Sequence, residues 1–141
     1  MKLTRKEVLE LGNGISMLLR ADDNKYEFNY ALIRNQSKLK GIMEEIGSVL
    51  ETGRKERGRL QREHCAKNAD DEPIMKNDNF TGLVGNTEYE AAMEAVNEKE
   101  KEYFKEEVEI ESYTIKAKHL PKKINGLAQL AIQGLIEGED E

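Results

Sequence analysis

An α+β fold, mainly α, is the expectation here: a long antiparallel helical hairpin with a small β-sheet and packed terminal helices. Three observations carry it. Apolar residues recur at helical spacing over four segments, period-two alternation is confined to two short stretches, and the longest helical segment contains no proline. The 141 residues set one domain, 1–141, as the natural expectation.

The first helix is expected over about 4–20. Thr4 followed by Glu7 forms a capping box, in which each side chain satisfies a backbone N–H at the helix start. Val8, Leu11, Ile15, Leu18 and Leu19 then share a face, and Gly12 and Gly14 thin it. The second helix is expected over about 25–66, after the turn "ADDN", with Asp22 or Asp23 as its cap. Its stripe runs through Phe28, Leu32, Leu39, Ile42, Met43, Ile46, Val49, Leu50 and Leu60. At ~1.5 Å per residue this helix is roughly 60 Å long. A compact domain of this size does not contain such a length, so part of it projects or pairs with another helix.

Pro73 forbids continuation of that helix. A strand segment is expected over about 73–81, where Ile74, Met75 and Phe80 flank the turn "KNDN". Thr87 and Glu90 repeat the capping box and open a third helix over about 87–105, marked by Tyr89, Ala92, Met93, Val96, Tyr103 and Phe104. In "EEVEIESYTIKAKHLP" the period becomes two, with a slip after Ser112. This reads as a bulged strand over about 107–117, paired with the 74–80 segment. Pro121 fits the first turn of a fourth helix over about 122–137, carrying Ile124, Leu127, Leu130, Ala131, Leu135 and Ile136. The tail "EGEDE" reads as acidic and frayed.

Composition narrows the function. Charged residues make up 35%, aromatics only 6%, and Trp is absent, which implies a thin core of paired helices. A net charge of −6 is the wrong sign for general nucleic-acid binding or for anionic membrane surfaces. One cysteine excludes an intramolecular disulfide. No apolar run approaches the roughly 18 residues of a membrane span. The first residues lack a signal-peptide apolar region, so a cytoplasmic location is expected.

The stretch "GSVLETGRKERGRLQREHC" concentrates the candidate chemistry. Arg54, Lys55, Arg57, Arg59 and Arg62 form a cation run, and Lys55, Arg59 and Arg62 share a flank that suits phosphates. The competing reading is neutralisation by the glutamates of the third helix, Glu94, Glu98, Glu100 and Glu102 among them, and this reading is preferred. Arg54, Lys55, Arg59 and Arg62 therefore stand only as a weaker charged patch, and nucleic acid is not the expected partner. His64 and Cys65 diverge around the helix and lack further ligands, so neither a metal site nor a thiol nucleophile is expected. Asp70, Asp71, Glu72 and Asp78 lack the order of a calcium loop. Glu44 and Glu45 lack the Glu-x-x-His pattern of di-iron bundles. "GLVGN" lacks the Lys-Ser/Thr of a phosphate loop and precedes an acidic first turn. No catalytic, cofactor-binding or metal-ligating residue is assigned, and the chain is read as a non-enzyme.

The remaining feature is an interface. Gly41, Gly47, Gly53 and Gly58 each cost the long helix about 1 kcal/mol relative to alanine. That cost implies close helix approach, bending, or a helix that needs a partner. The stripe through Ile42, Met43, Ile46, Val49 and Leu50 is the candidate partner interface, set against ordinary intramolecular packing.

A capped first helix, then "FNYALIRNQSKLKGIMEEI", the acidic-proline loop "ADDEPI", and "EEVEIESYTIKAKHLP" before a last helix give an order spanning most of the chain. This order resembles small uncharacterised proteins encoded by tailed bacteriophages and prophages. The resemblance implies a phage origin and a non-enzymatic role, and it transfers no functional residue. The expected function is thus a protein-binding protein, a phage-encoded inhibitor or modulator of a host or defence complex. The alternative is a minor virion structural or assembly factor. The expected partner is a host or phage protein or a second copy of the chain, with no membrane and no cofactor.

Overall fold

The computed structural model describes residues 1–137; the acidic tail beyond them lies outside the described residues. Element order is β1 (Lys2–Thr4), α1 (Arg5–Leu19), α2 (Tyr26–His64), β2 (Met75–Lys76), β3 (Asn79–Phe80), α3 (Thr87–Lys105), β4 (Glu107–Glu109) and α4 (Gly126–Ile132). Short 3-10 turns at Ala117–His119 and Gln133–Leu135 flank α4. The described chain is mainly helical with two small two-stranded sheets, an α+β arrangement. It divides into two compact units, one of Met1–Ile46 with the segment that begins at Phe104, the other of Gly47–Tyr103. Length alone gave no sign of this division.

The first unit holds most of the core. The capping box forms as expected: the Glu7 N–H donates to Thr4 Oγ1 at 3.1 Å and the Thr4 N–H donates to Glu7 Oε1 at 2.9 Å. The helix it starts buries Val8, Leu11, Ile15 and Leu18. These residues, with Phe28, Ala31, Leu32, Leu39 and Ile46 of α2 and Ile110, Ile115, Ala128, Ile132 and Leu135 beyond, make up the buried apolar set of this unit. At Gly14 a Cβ would lie 2.6 Å from the Ala131 Cβ, so the glycine sets how closely α1 and α4 approach.

The expected strand pairing is corrected. β4 pairs antiparallel with β1, in the register Lys2↔Glu109, Leu3↔Val108 and Thr4↔Glu107. The 74–80 segment instead folds on itself, Met75↔Phe80 and Lys76↔Asn79. The physical reason is the turn: Asn77 (φ 51°) and Asp78 (φ 64°) both take left-handed backbone, the geometry of a two-residue hairpin. The single bulged strand over 107–117 is corrected as well. The ladder ends at Glu109, and Ile115 forms an isolated parallel bridge to Ile136.

Between them, Asn35 of α2 holds the chain at Tyr113. Asn35 Nδ2 donates to the Tyr113 carbonyl at 2.7 Å, and the Tyr113 N–H donates to Asn35 Oδ1 at 2.7 Å. A side-chain amide thus replaces a strand partner.

α4 is shorter than the expected 122–137 because its cap lies later. Asn125 Oδ1 accepts from the Leu127 and Ala128 N–H groups at 3.0 and 3.1 Å, so the helix opens at Gly126 rather than at Pro121. In α3 the cap also moves by one residue. Asn86 Oδ1 accepts from the Tyr89 N–H at 3.0 Å, while Glu90 reaches back to the Gly85 N–H at 3.3 Å.

The second unit contains the later part of α2, the β2–β3 hairpin and most of α3. Its buried apolar side chains are Leu60 and Cys65. α3 contains no buried residue, and Ala92, Met93, Val96 and Tyr103 remain half-buried. The loop before β2 is tied by Asn68, whose Oδ1 accepts from the Asp70 and Glu72 N–H groups, so the acidic residues there shape a turn.

Candidate functional site

The five residues expected to form an interface divide between the two units. In the first, Ile46 is buried, and Ile42 and Met43 are half-buried. Met43 is taken up by internal packing: a Cβ at Gly12 would lie 2.6 Å from its methyl carbon, so the thioether fills the space which that glycine leaves open. In the second unit, Val49 is half-buried and Leu50 is 37% exposed. Val49, Gly53, Val96 and Tyr103 line an open groove of about 440 Å³. Of the set, Ile46 alone is buried, Ile42, Met43 and Val49 are half-buried, and Leu50 is exposed.

Three of the four glycines in the long helix do not mark close approach. A Cβ at Gly41, Gly47 or Gly58 would meet nothing within 4 Å. Gly53 differs: its Cβ would fall 2.6 Å from Glu100 Oε2 and 2.8 Å from Arg57 Nη1, the movable ends of an ion pair.

The cation run is largely neutralised along its own helix. Arg54 donates to Glu51 through Nε at 2.9 Å and Nη2 at 2.5 Å. Arg59 donates to Glu56 at 2.6 and 3.1 Å and also binds Glu63. These pairs follow the three- and four-residue spacing of a helix. The expected neutralisation by α3 is seen at Arg57, which meets Glu100 at 3.1 Å and Asn97 at 3.0 and 3.2 Å. Hydrogen bonds from Arg54 and Arg59 hold the Glu51 and Glu56 carboxyls below their ordinary range, and the same bonds raise both guanidinium groups. All four side chains reach solvent, where such pairs contribute little to stability. Lys55 and Arg62 are exposed.

His64 and Cys65 point to separate environments. The His64 ring lies 6.1 Å from the Tyr89 ring, and the buried Cys65 Sγ lies 3.4 Å from the Arg62 carbonyl. Among the described residues, no group of three or more His, Cys, Asp or Glu side chains is arranged to hold a metal ion, and no helix is long and apolar enough to cross a membrane.

Two surfaces of the first unit escaped the sequence reading. On α4, Leu127 and Leu130 are 77% and 72% exposed, and with Met17 they border a groove of about 470 Å³ over Gly14 and Ala131. Their three-residue spacing is visible in the sequence but reads there as a core face. The second surface gathers Tyr26, Tyr30 and Tyr113. Comparison with protein-family models, curated proteins and solved structures gives no match for this chain, so the functional reading rests on its own geometry.

Proposed function

We propose that the chain is a non-enzymatic protein-binding protein, and that its second unit is an antiparallel helical hairpin that docks on a partner protein. The observation that carries this reading is α3, which buries no side chain over 19 residues although its apolar residues keep helical spacing. Apolar surface removed from water contributes about 25 cal/mol per Å². A stripe left half in water forgoes much of that stabilisation, and a partner restores it. Antiparallel pairing is supported by partners whose numbers fall as those of α2 rise: Gly53 beside Glu100, Arg57 beside Asn97, His64 beside Tyr89.

The partner is a host or phage protein, and the role is that of a phage-encoded inhibitor or modulator of a host or defence complex in the host cytoplasm. The arginine run is not the docking element for nucleic acid in this reading, because Arg54, Arg57 and Arg59 are already matched by glutamates.

The test is Leu50→Glu, followed by sedimentation, by pull-down from infected cells and by thermal melting. Association should weaken while the melt stays within about 0.5 kcal/mol of the parent, as for ordinary surface substitutions. A folded variant with unchanged association removes this face from the interface. Self-association lost in the variant favours the alternative of a virion assembly factor.

A further inference from the structure

From Ser112 to Ile136 the chain carries four lysines, Lys116, Lys118, Lys122 and Lys123, and no carboxylate, although the whole has a net charge of −6. Folding brings the first part of this stretch against the start of α2. Asn35 clamps the Tyr113 main chain, and the Lys25 ammonium donates to the Lys118 carbonyl at 3.3 Å. Three of the five tyrosines meet there. Tyr26 and Tyr30, one helical turn apart, stack with centroids 6.3 Å apart and planes 17° from parallel. Tyr113 meets Tyr30 edge-on at 5.8 Å, and the Arg34 guanidinium lies 5.4 Å from the centre of the Tyr113 ring. Tyr26, Tyr30, Tyr113, Lys116 and His119 line a notch of about 180 Å³, with Glu27 also on its wall.

The rings are not core residues: Tyr26 is 79% exposed and Tyr30 42%. They are also not loose. Tyr30 contacts both other rings, and Asn35 fixes the main chain at Tyr113, so a ligand loses less free energy in ordering them. Tyrosine and arginine are the side chains that dominate protein interfaces when a partner desolvates them. Lys116 on the notch wall and the Arg34 guanidinium beside the Tyr113 ring favour an anionic ligand. A single-stranded nucleic acid needs a cationic groove that follows successive phosphates. Here Lys116 and Arg34 border one notch, with the Glu27 carboxylate on its wall. That geometry suits one side chain entering between the rings, with carboxylates on either side of it.

We propose that this notch is a second docking site, and that it takes an acidic polypeptide segment of a partner protein, anchored by an aromatic side chain. The proposal rests on the reading of the chain as a protein-binding protein but uses a different surface from the helical unit.

The experiment pans a displayed random-peptide library against the whole protein and against a Tyr26→Ala/Tyr30→Ala variant. Selected peptides are then fluorescein-labelled and titrated by anisotropy, beside an oligothymidylate of equal charge. Peptides selected by the parent should carry an aromatic residue flanked by Asp or Glu. Their affinity should fall about tenfold in Tyr30→Ala and in Arg34→Ala/Lys116→Ala, fall with added salt, and rise in Glu27→Gln. Circular dichroism checks the fold, and Tyr26→Ser, at the most exposed ring, gives a second reading if Tyr30→Ala unfolds. No enrichment, neutral peptides, or the same peptides from the double tyrosine variant would overturn the proposal. Tighter binding of the oligothymidylate, lost in Tyr30→Ala, would make the notch a nucleic-acid site instead. Leu50→Glu separates the two surfaces: peptide binding retained with unchanged association condemns the helical reading alone, and absent peptide binding with association lost condemns the notch alone.

Discussion

Replacing Asn35 with alanine should release the segment around Tyr113 from α2. Asn35 is 2% exposed, and its amide makes three contacts: Nδ2 to the Ala31 and Tyr113 carbonyls at 2.8 and 2.7 Å, and Oδ1 from the Tyr113 N–H at 2.7 Å. Removing the amide leaves a main-chain donor and a main-chain acceptor of Tyr113 without their partner. Each such group costs about 1–3 kcal/mol when water cannot replace the lost bond. Tyr113 is half-buried, so water recovers part of this, and a net loss of about 2 kcal/mol is expected from the lower end of that range. Asn35→Asp keeps the acceptor and loses the donor. A carboxylate buried there disfavours its charged form, raising its folded pKa above the unfolded value. The defect should therefore be smallest at low pH and grow as pH rises through the folded pKa. Urea unfolding gives the stability, and amide exchange at Tyr113 gives the local effect. Asn35→Ala within about 0.5 kcal/mol of the parent, the spread of ordinary surface substitutions, with the Tyr113 amide still protected, would refute the clamp and leave the Ile115–Ile136 bridge as the holding contact.

Two glycines should respond in opposite directions. Gly47→Ala, in open space on α2, should stabilise by about 1 kcal/mol, whereas Gly14→Ala, 2.6 Å from the Ala131 Cβ, should destabilise by about 1–3 kcal/mol; urea midpoints decide both. Cys65→Ser should cost about 1 kcal/mol for burying a hydroxyl and leave partner association unchanged, because the Arg62 carbonyl accepts from the serine hydroxyl in place of the thiol; lost association in a folded variant would reinstate a thiol function. Glu51 and Glu56 titrate below their ordinary value of 4.5, so the bonds they accept persist above it and are lost as pH falls through the folded values. Helicity over residues 51–63, followed by carbonyl chemical shifts, should decline only at that acid end, and a decline centred near neutrality would contradict the pairing.

The helices were legible where local chemistry decides them. Thr4 with Glu7, and the apolar spacing of Val8 to Leu18, specify α1 without reference to the rest of the chain, and the turn between β2 and β3 is written in "KNDN". The β1–β4 pairing was not legible: three residues at Lys2–Thr4 are too few to show alternation, and the choice of partner is made across the whole chain. The bulge read at Ser112 was a true loss of phase with a different cause, since Asn35 substitutes for a neighbouring strand. Of the candidate interface, apolar spacing identified the stripe but not its use. Gly12 admits Met43, a small-to-large fit that no helical period encodes. Leu127 and Leu130 read as core because periodicity reports a face and not what covers it.

The first unit is discontinuous in sequence, and this sets an order of events during synthesis. Its ladder joins Lys2 to Glu109, and its bridge joins Ile115 to Ile136, so α1 and the start of α2 leave the ribosome long before the segments that cover them. The second unit closes earlier, since Arg57 needs only Asn97 and Glu100. Contacts of long sequence separation carry the larger loop-closure cost and form slowly. Once the second unit is helical, however, that intervening chain no longer behaves as a flexible loop. Early folding of Gly47–Tyr103 therefore shortens the search by which the two ends of the chain find each other. Translation pauses placed after Tyr103 would favour folding, and pauses placed before it would leave the face of Val8, Leu11 and Ile15 open to chaperones.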